Sequence, residues 1–287
     1  MCYASRAPMD YREYQPPSGL QQAVHCLWTL EGDAAELGAA LQPVLPDGRP
    51  ELILHLGDPF ERVGPDGRVQ RQASILYAGQ LTGQLLLRPT GRIAVAGLRF
   101  RPFGAAAALK APQNELAGLT SPVFDLSKPL GTLLQSIRDA TDSPRHAIEL
   151  LVSRVGPPLL GASVDPRLRA VVDVIDQKGG LVTVDALATV ACMTRRHLER
   201  RFLATVGVPP KRLARITRFQ RALSVFDQLD EPGRGVRTAV ECGYADQAHF
   251  IRDFSSLAGC PPGEHLLRRG ELTGFFSERH SPAQPDQ

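Results

Sequence analysis

Two segments of the chain repeat the same residue types at the same intervals, 52 residues apart. The first reads His197-Leu198-Glu199-Arg200-Arg201-Phe202 and, four residues on, Gly207-Val208-Pro209-Pro210. The second reads His249-Phe250-Ile251-Arg252-Asp253-Phe254 and, four residues on, Gly259-Cys260-Pro261-Pro262. At about 100° per residue, Leu198 and Phe202 share one helix face, as do Phe250, Phe254 and Leu257. The opposite faces offer Arg195, Arg196, Glu199 and Arg200 in the first copy, and Gln247, Ala248, Ile251 and Arg252 in the second. These side chains suit the edges of base pairs. Arg pairs bidentately with guanine, Gln with adenine, Glu accepts from cytosine, and an apolar side chain such as Ile meets a thymine methyl. A helix that buries one face and sends the other into a major groove needs this mixture.

The charge distribution points the same way. The 287 residues carry 33 basic and 30 acidic side chains, a net charge of +3 that by itself implies no partner. Residues 1–162 balance at 15 and 15, whereas 163–270 hold 17 against 12. Within 194–221 lie Arg195, Arg196, Arg200, Arg201, Lys211, Arg212, Arg215, Arg218 and Arg221, with Glu199 the lone acid. Such a block is the footprint of a polyanion-binding surface. Lys211 and Arg212 join the base-facing residues as expected DNA contacts, since flanking cations hold phosphates and fix register.

The elements that must position these groups are helical. Short apolar segments, Val184–Ala191 and Val236–Glu241, precede each candidate helix across tight turns at Cys192-Met193-Thr194 and Gly243-Tyr244-Ala245, which makes each copy a helix-turn-helix. Gly243 suits a turn with positive φ, and Cys192 occupies the neighbouring position in the first copy. Pro166–Gln177 is amphipathic, Thr183 is a helix N-cap, and Pro209-Pro210 opens a long helix reaching about Leu229. Upstream, the apolar runs Ala23–Leu30, Glu51–Leu56, Ser74–Ala78, Leu85–Leu87 and Arg92–Phe100 read as strands. They are punctuated by turns at Pro46-Asp47-Gly48, Pro65-Asp66-Gly67 and Pro89-Thr90-Gly91. From Phe103 on, Ala105–Lys110, Leu130–Ile137 and Pro144–Arg154 read as helices. The expected fold is therefore α+β in front, a β-rich barrel-like body with a small helical subdomain, joined to an all-α part with two helix-turn-helix units on a long helix. The stretch from Val155-Gly156-Pro157-Pro158 to Gly161-Ala162-Ser163 is the linker candidate. The expected domains are 1–160, 161–271 and a disordered tail, 272–287.

Other reactive side chains have duller readings. Cys2, Cys26, Cys192, Cys242 and Cys260 form no metal-finger spacing, and their odd, scattered count suits reduced thiols in a cytoplasm. The N-terminus has no signal-peptide core, and no apolar run approaches the ~18 residues a membrane helix needs. Glu51 and His55 sit four apart on a strand, about 13 Å, too far to share a metal, so no metal or cofactor is expected. His25 and His55 read as packed or solvent-facing. His197 and His249 read as packing or phosphate contacts, since no paired nucleophile or acid accompanies them. Trp28 reads as core, and Arg99 and Arg101 as surface charge near a strand end.

At these residues the chain resembles the AraC/XylS family of bacterial transcription regulators over about 163–270. The stretches LATVACMTRRHLERRFLATVGVPPKRL and VRTAVECGYADQAHFIRDFSSLAGCPPGEHL carry the resemblance. It implies two recognition helices entering successive major-groove segments, separated by a rigid helix over about Pro210–Leu229. Arg218 and Ala222 match the family's R-x-x-x-A, with the Arg structural or phosphate-facing. Ala248 stands where a polar residue is common, so the second helix reads fewer bases. Leu45-Pro46-Asp47-Gly48, Leu56-Gly57-Asp58-Pro59-Phe60, Gly79-Gln80 and Gly97-Leu98-Arg99-Phe100-Arg101-Pro102 resemble, less specifically, an N-terminal domain of some members, which implies effector binding or dimerisation. The implied partners are double-stranded promoter DNA, RNA polymerase, a small-molecule effector and a second copy, with no membrane. The implied role is a cytoplasmic regulator, an activator, and no enzyme. The alternatives are a regulator without an effector, whose front part dimerises or contacts polymerase, and an enzyme fused to a DNA-binding module, for which Cys2 and Cys26 lack a supporting motif. An apolar pocket within 1–160 favours an effector; a filled core favours its absence.

Overall fold

The computed structural model describes residues 9–37, 40–109, 111–160, 165–229 and 233–268. Cys2 and the 272–287 tail lie outside these residues.

Among the described residues, ten antiparallel strands form two sheets. The larger runs in the order β1 (Asp10–Tyr14), β2 (Val24–Asp33), β9 (Arg92–Phe100), β4 (Glu51–His55), β7 (Ile75–Ala78), β10 (Thr120–Pro122). The smaller runs β3 (Gln42–Val44), β8 (Leu85–Arg88), β5 (Glu61–Val63), β6 (Val69–Arg71). The expected turns at Pro46-Asp47-Gly48, Pro65-Asp66-Gly67 and Pro89-Thr90-Gly91 join β3 to β4, β5 to β6 and β8 to β9. The larger sheet is buried on both faces, which is why β9 is buried along almost its whole length. One face packs on the smaller sheet through Trp28, Leu30, Phe60, Leu85, Leu87 and Val95. The other packs Leu52, Leu54, Leu98 and Phe100 against helices α2 (Ala105–Leu109), α4 (Lys128–Ala140) and α5 (Pro144–Leu160) through Ala105, Leu134, Ile137 and Leu151. The front helices thus share a core with the sheet. The short helix α1 (Ala34–Leu37) has no buried residue, while α3 (Val123–Leu126) inserts Val123 into the helix-side core.

Along β4 the alternation is consequential. Leu52 and Leu54 point into the helix-side core, so Glu51, Ile53 and His55 line the space between the sheets, because successive strand side chains face opposite ways.

The expected linker begins later than its Gly and Pro residues suggest. Helix α5 continues through Gly156, Pro157 and Pro158 to Leu160, anchored by buried Val155 and Leu159. Residues 161–164 are outside the described set.

Beyond them come α6 (Pro166–Gln177), α7 (Val184–Val190), α8 (Arg195–Val206), α9 (Pro210–Gln228), α10 (Arg234–Glu241), α11 (Gln247–Ala258) and α12 (Pro262–Arg268). They build two cores. Leu168, Val171, Ile175, Leu187, Leu198 and Phe202 form the first. Phe219, Leu223, Phe226, Phe250, Phe254 and Leu257 form the second. Helix α9 spans both, giving Leu213 and Ala214 to one and Ile216 to Phe226 to the other. Each core also admits a residue from the strand region, Phe103 in the first and Leu45 in the second. A brief 3₁₀ turn at Gln113–Glu115 lies against α8.

Candidate nucleic-acid interface and N-terminal cavity

Each repeat is a short helix, a turn and a longer helix, and local chemistry sets both ends of the longer one. Thr194 caps α8 by accepting from the His197 backbone N–H at 3.3 Å, and Asp246 caps α11 by accepting from that of His249 at 2.6 Å. Gly207 and Gly259 end them in the left-handed region, at φ 93° and 74°. The turns differ by one residue. After the helix C-cap, Ala191 or Cys242, the backbone turns left-handed at Cys192 (φ 50°) and at Gly243 (φ 65°). Three residues then lead into α8 and four into α11, counted from the left-handed residue. The first copy therefore carries the cost of a non-glycine residue there, about 1–2 kcal/mol.

The sequence's division of faces holds. Leu198, Phe202, Phe250, Phe254 and Leu257 are buried completely. Arg195, Arg196, Arg200, Gln247, Ala248, Ile251 and Arg252 are exposed, and Glu199 is half-buried. Arg195 lies 3.2 Å from Glu199 and 3.7 Å from Asp185. Lys211 is exposed at the start of α9. Arg212 beside it is drawn elsewhere: half-buried, it donates to the Thr82 carbonyl of the strand region. His197 is exposed, while His249 packs edge-on to Tyr244.

Part of the basic block is spent inside the fold. Arg201 reaches Asp165 at 3.2 Å. Arg215 and Arg218 of α9 converge on Asp253 of α11, Arg215 by a short ion pair and Arg218 at 3.7 Å. The Tyr244 hydroxyl donates to the same carboxylate at 3.1 Å, and the Arg218 guanidinium lies 4.4 Å from the Tyr244 ring centre. Arg218 is therefore structural. A hint of this brace was available in sequence. Asp253 falls on the buried face between Phe250 and Leu257, where a carboxylate requires partners, and Arg215 and Arg218, three apart, share a helix face.

A second site lies between the two sheets. A cavity of about 60 Å³, room for roughly four to six waters, is walled by Leu30, Ile53, Phe60, Leu85, Leu87 and Val95. Trp28 is both core and cavity wall. At one end Arg99 is only 5 % exposed, which overturns the reading of it as surface charge. Strand register explains the burial, since Arg99 is opposite Glu51 on β4 and Cys26 on β2. Its guanidinium sits 2.5 Å from Glu51, 3.4 Å from Glu13 and 3.7 Å from Asp47. Burial raises the Glu51 carboxyl above its ordinary value, with Arg99 opposing the shift. Arg101, by contrast, stays near the surface and donates to the Gln21 carbonyl at 2.7 Å.

At the other end His55 is 2 % exposed, 5.2 Å from the Phe60 ring. Burial lowers its pKa to about 4, so the ring is neutral at pH 7. Gln72 neighbours the ring, yet neither ring nitrogen completes a hydrogen bond of ordinary geometry. No cluster of metal-ligating side chains occurs among the described residues. Burial pushes the Cys26 thiol up to about 12 and raises that of Cys242, whereas a reactive thiol requires the reverse. No described helix is long and apolar enough to cross a membrane.

Two family matches cover separate stretches of the chain. Residues 12–122 match a domain of unknown function, DUF6597. Residues 187–268 match a helix-turn-helix domain. The chain is 31 % identical over 115 residues to the RCS-specific HTH-type transcriptional activator RclR of Escherichia coli, covering 40 % of each chain. It is 29 % identical over 122 residues to an uncharacterized HTH-type transcriptional regulator of Haemophilus influenzae, covering 42 % of this chain and 40 % of the relative. The matches thus span about two fifths of these relatives' length. Among solved structures, an AraC-type regulator from Chromobacterium violaceum aligns at 23 % identity and TM-score 0.33, over 37 % of this chain and 94 % of that one. ToxT from Vibrio cholerae aligns at 11 % identity and TM-score 0.46, over 80 % of this chain and 96 % of that one. The helix-turn-helix match takes in the end of α7 and the whole of α8 through α12.

Proposed function

We propose that the chain is a sequence-specific DNA-binding transcription regulator whose strand region binds a small-molecule effector. The observation that carries the DNA-binding half is the pair of helices, α8 and α11, each showing base-competent side chains outward and joined by the single helix α9. In this reading Arg196, Glu199 and Arg200 read bases from α8, Gln247, Ile251 and Arg252 read from α11, and Arg195 and Lys211 serve phosphates. Arg212 does not belong to the DNA face while it is engaged with Thr82. Residues 1–160 act as the effector part and 161–271 as the DNA-binding part.

The effector half is supported by the cavity and by what borders it. The β3–β4 loop touches both sides of the molecule. Leu45 and Asp47 line the cavity, while Leu45 also enters the second helix-turn-helix core and the Pro46 carbonyl accepts from Gln220 Nε2 of α9 at 2.6 Å. Gly48, at φ 79°, faces Leu213 so closely that an added Cβ would sit 2.8 Å from its side chain. Its carbonyl accepts from Gln80 at 2.7 Å. A ligand that moves this loop therefore bears on the helix that spaces α8 and α11. Repositioning a rigid spacer changes whether both can occupy one DNA face, which is a differential interaction of the kind regulation requires.

The test is genome-wide mapping of bound sites together with gel-shift titration of one recovered site. Specific binding that weakens steeply with salt and spans two successive major-groove segments supports the reading. Binding that is equal on random DNA, or absent, refutes it.

A further inference from the structure

The strand region holds each helix-turn-helix unit at two matching points. The first point is the core. Buried Phe103 joins Leu198 and Phe202 beneath α8, and buried Leu45 joins Phe250 and Phe254 beneath α11. The second point is the glycine that ends each of these helices. An added Cβ at Gly207 would sit 3.0 Å from the Gln113 carbonyl oxygen, and one at Gly259 would run into the Gln84 side-chain amide. Gln113 is itself fixed, since it is buried and accepts from the Tyr77 hydroxyl at 2.6 Å.

These holds share one support. Phe103 follows β9, Leu45 sits in the loop leading into β4, and Tyr77 belongs to β7. The three strands are hydrogen-bonded neighbours in the larger sheet, in the order β9, β4, β7. The Phe100 N–H donates to the Pro50 carbonyl at 2.9 Å, which ties the stretches carrying Phe103 and Leu45 to each other. The two helical cores, by contrast, are strung along α9, and a long helix bends readily by itself. A sheet that grips both units limits that bending. The grips also leave the outward faces open. They engage the buried sides and C-terminal ends of α8 and α11, whereas Arg195, Arg196, Gln247 and Ala248 stay exposed in the first turns, the end that meets base edges in a major groove. An inhibitory contact would cover those turns.

We propose that the strand region is part of the DNA-reading device: through Phe103, Leu45 and Gln113 it fixes the distance and angle between α8 and α11, and so sets the half-site spacing the protein accepts. These three are positioning residues, each lying beneath or behind the helix it holds. The inference rests on the reading of α8 and α11 as the base-reading helices.

The experiment uses the full chain and a duplex that it selects from a random library. Derivatives of that duplex carry two extra base pairs between the half-sites, which moves the second half-site about 7 Å along and about 70° around the axis. Affinities for both duplexes are measured by gel shift. The wild-type chain is expected to prefer the native spacing by about a hundredfold, because the stretched duplex loses the base contacts of one half-site. In Phe103→Ala and Leu45→Ala that preference is expected to fall about tenfold, since a looser reader forfeits pre-organisation on the native site and gains reach on the stretched one. Leu45→Met, which keeps the volume, is expected to retain the wild-type preference. Tyr77→Phe removes only the hydroxyl that fixes Gln113 and is expected to lower the preference in the same direction. It carries the test should circular dichroism show that an alanine variant fails to fold. A defect of stability alone would weaken both duplexes equally and leave their ratio unchanged. An unchanged ratio in the folded variants, tighter binding of the native site by them, or a wild-type chain indifferent to spacing overturns the proposal. Any of these results alongside specific, salt-dependent binding sinks only this inference, whereas a wild-type chain that selects no duplex sinks the regulator reading and this one with it.

Discussion

Among the described residues, each half of the molecule buries an ionic cluster, and the two are opposite in sign. In the strand region the guanidinium of Arg99 is surrounded by Glu13, Asp47 and Glu51, donated by β1, the β3–β4 loop and β4. In the helical region the carboxylate of Asp253 is gripped by Arg215, Arg218 and the Tyr244 hydroxyl. The first borders a cavity, and the second joins α9 to α11 beside the packed rings of Phe219, Phe250 and Phe254. The helical cluster acts as a brace, holding α11 to α9 in one orientation. The strand cluster is the more deeply covered of the two, with the Arg99 side chain 6 % exposed against 29 % and 19 % for Arg215 and Arg218.

This contrast can be tested by breaking each cluster at its centre. Arg99→Met leaves three close carboxylates around an apolar side chain, and a loss of about 3–5 kcal/mol is expected in urea unfolding. Asp253→Asn is expected to cost less, about 2–3 kcal/mol, because the Arg215 and Arg218 side chains are 29 % and 19 % exposed and regain water. A larger loss for Asp253→Asn than for Arg99→Met would reverse the comparison. Footprinting should also show Asp253→Asn loosening the half-site under α11 while sparing the one under α8.

The cavity's other end predicts a pH signature. The unfolded imidazole of His55 protonates below about 6.5, but the folded one only near 4. Between these values the unfolded chain binds more protons, so stability falls as the pH falls, by roughly 3 kcal/mol in all. His55→Gln should lack this component, seen as a smaller difference between unfolding free energies at pH 7 and pH 4. Equal pH dependence in both proteins would place the imidazole in contact with water.

The smallest expected effects lie on the outer faces. Arg200→Ala and Arg252→Ala should each weaken specific binding by ~1–3 kcal/mol if they read bases, with little change on random DNA. Equal losses on both DNAs would reassign that Arg to phosphate. Because α11 presents Ala248 and Ile251 where α8 presents Arg196 and Glu199, base discrimination should be sharper in the half-site under α8.

Much of the helical half was determined by sequence alone. Apolar residues three and four apart, Thr183, Thr194 and Asp246 at helix starts, and glycines at helix ends are local signals, so the boundaries of α6 and α9 and the outward faces of α8 and α11 could be read directly. Several strands were legible by the same local logic, β9 over its full length. Short strands such as β1, β3 and β10 were not, because three to five residues carry too little periodicity. The extension of α5 through Pro157 and Pro158 was also hidden, since buried Val155 and Leu159 outweigh the local breakers. The ionic clusters and the cavity were decided only by tertiary structure. Glu13, Asp47, Glu51 and Arg99 lie far apart along the chain and meet through cross-strand register, and Leu45 reaches a helical core more than 170 residues away in sequence. Whether a charge such as Arg99 faces water or a carboxylate depends on which strands pair beside it, and long-range pairing leaves no mark in any short stretch of sequence.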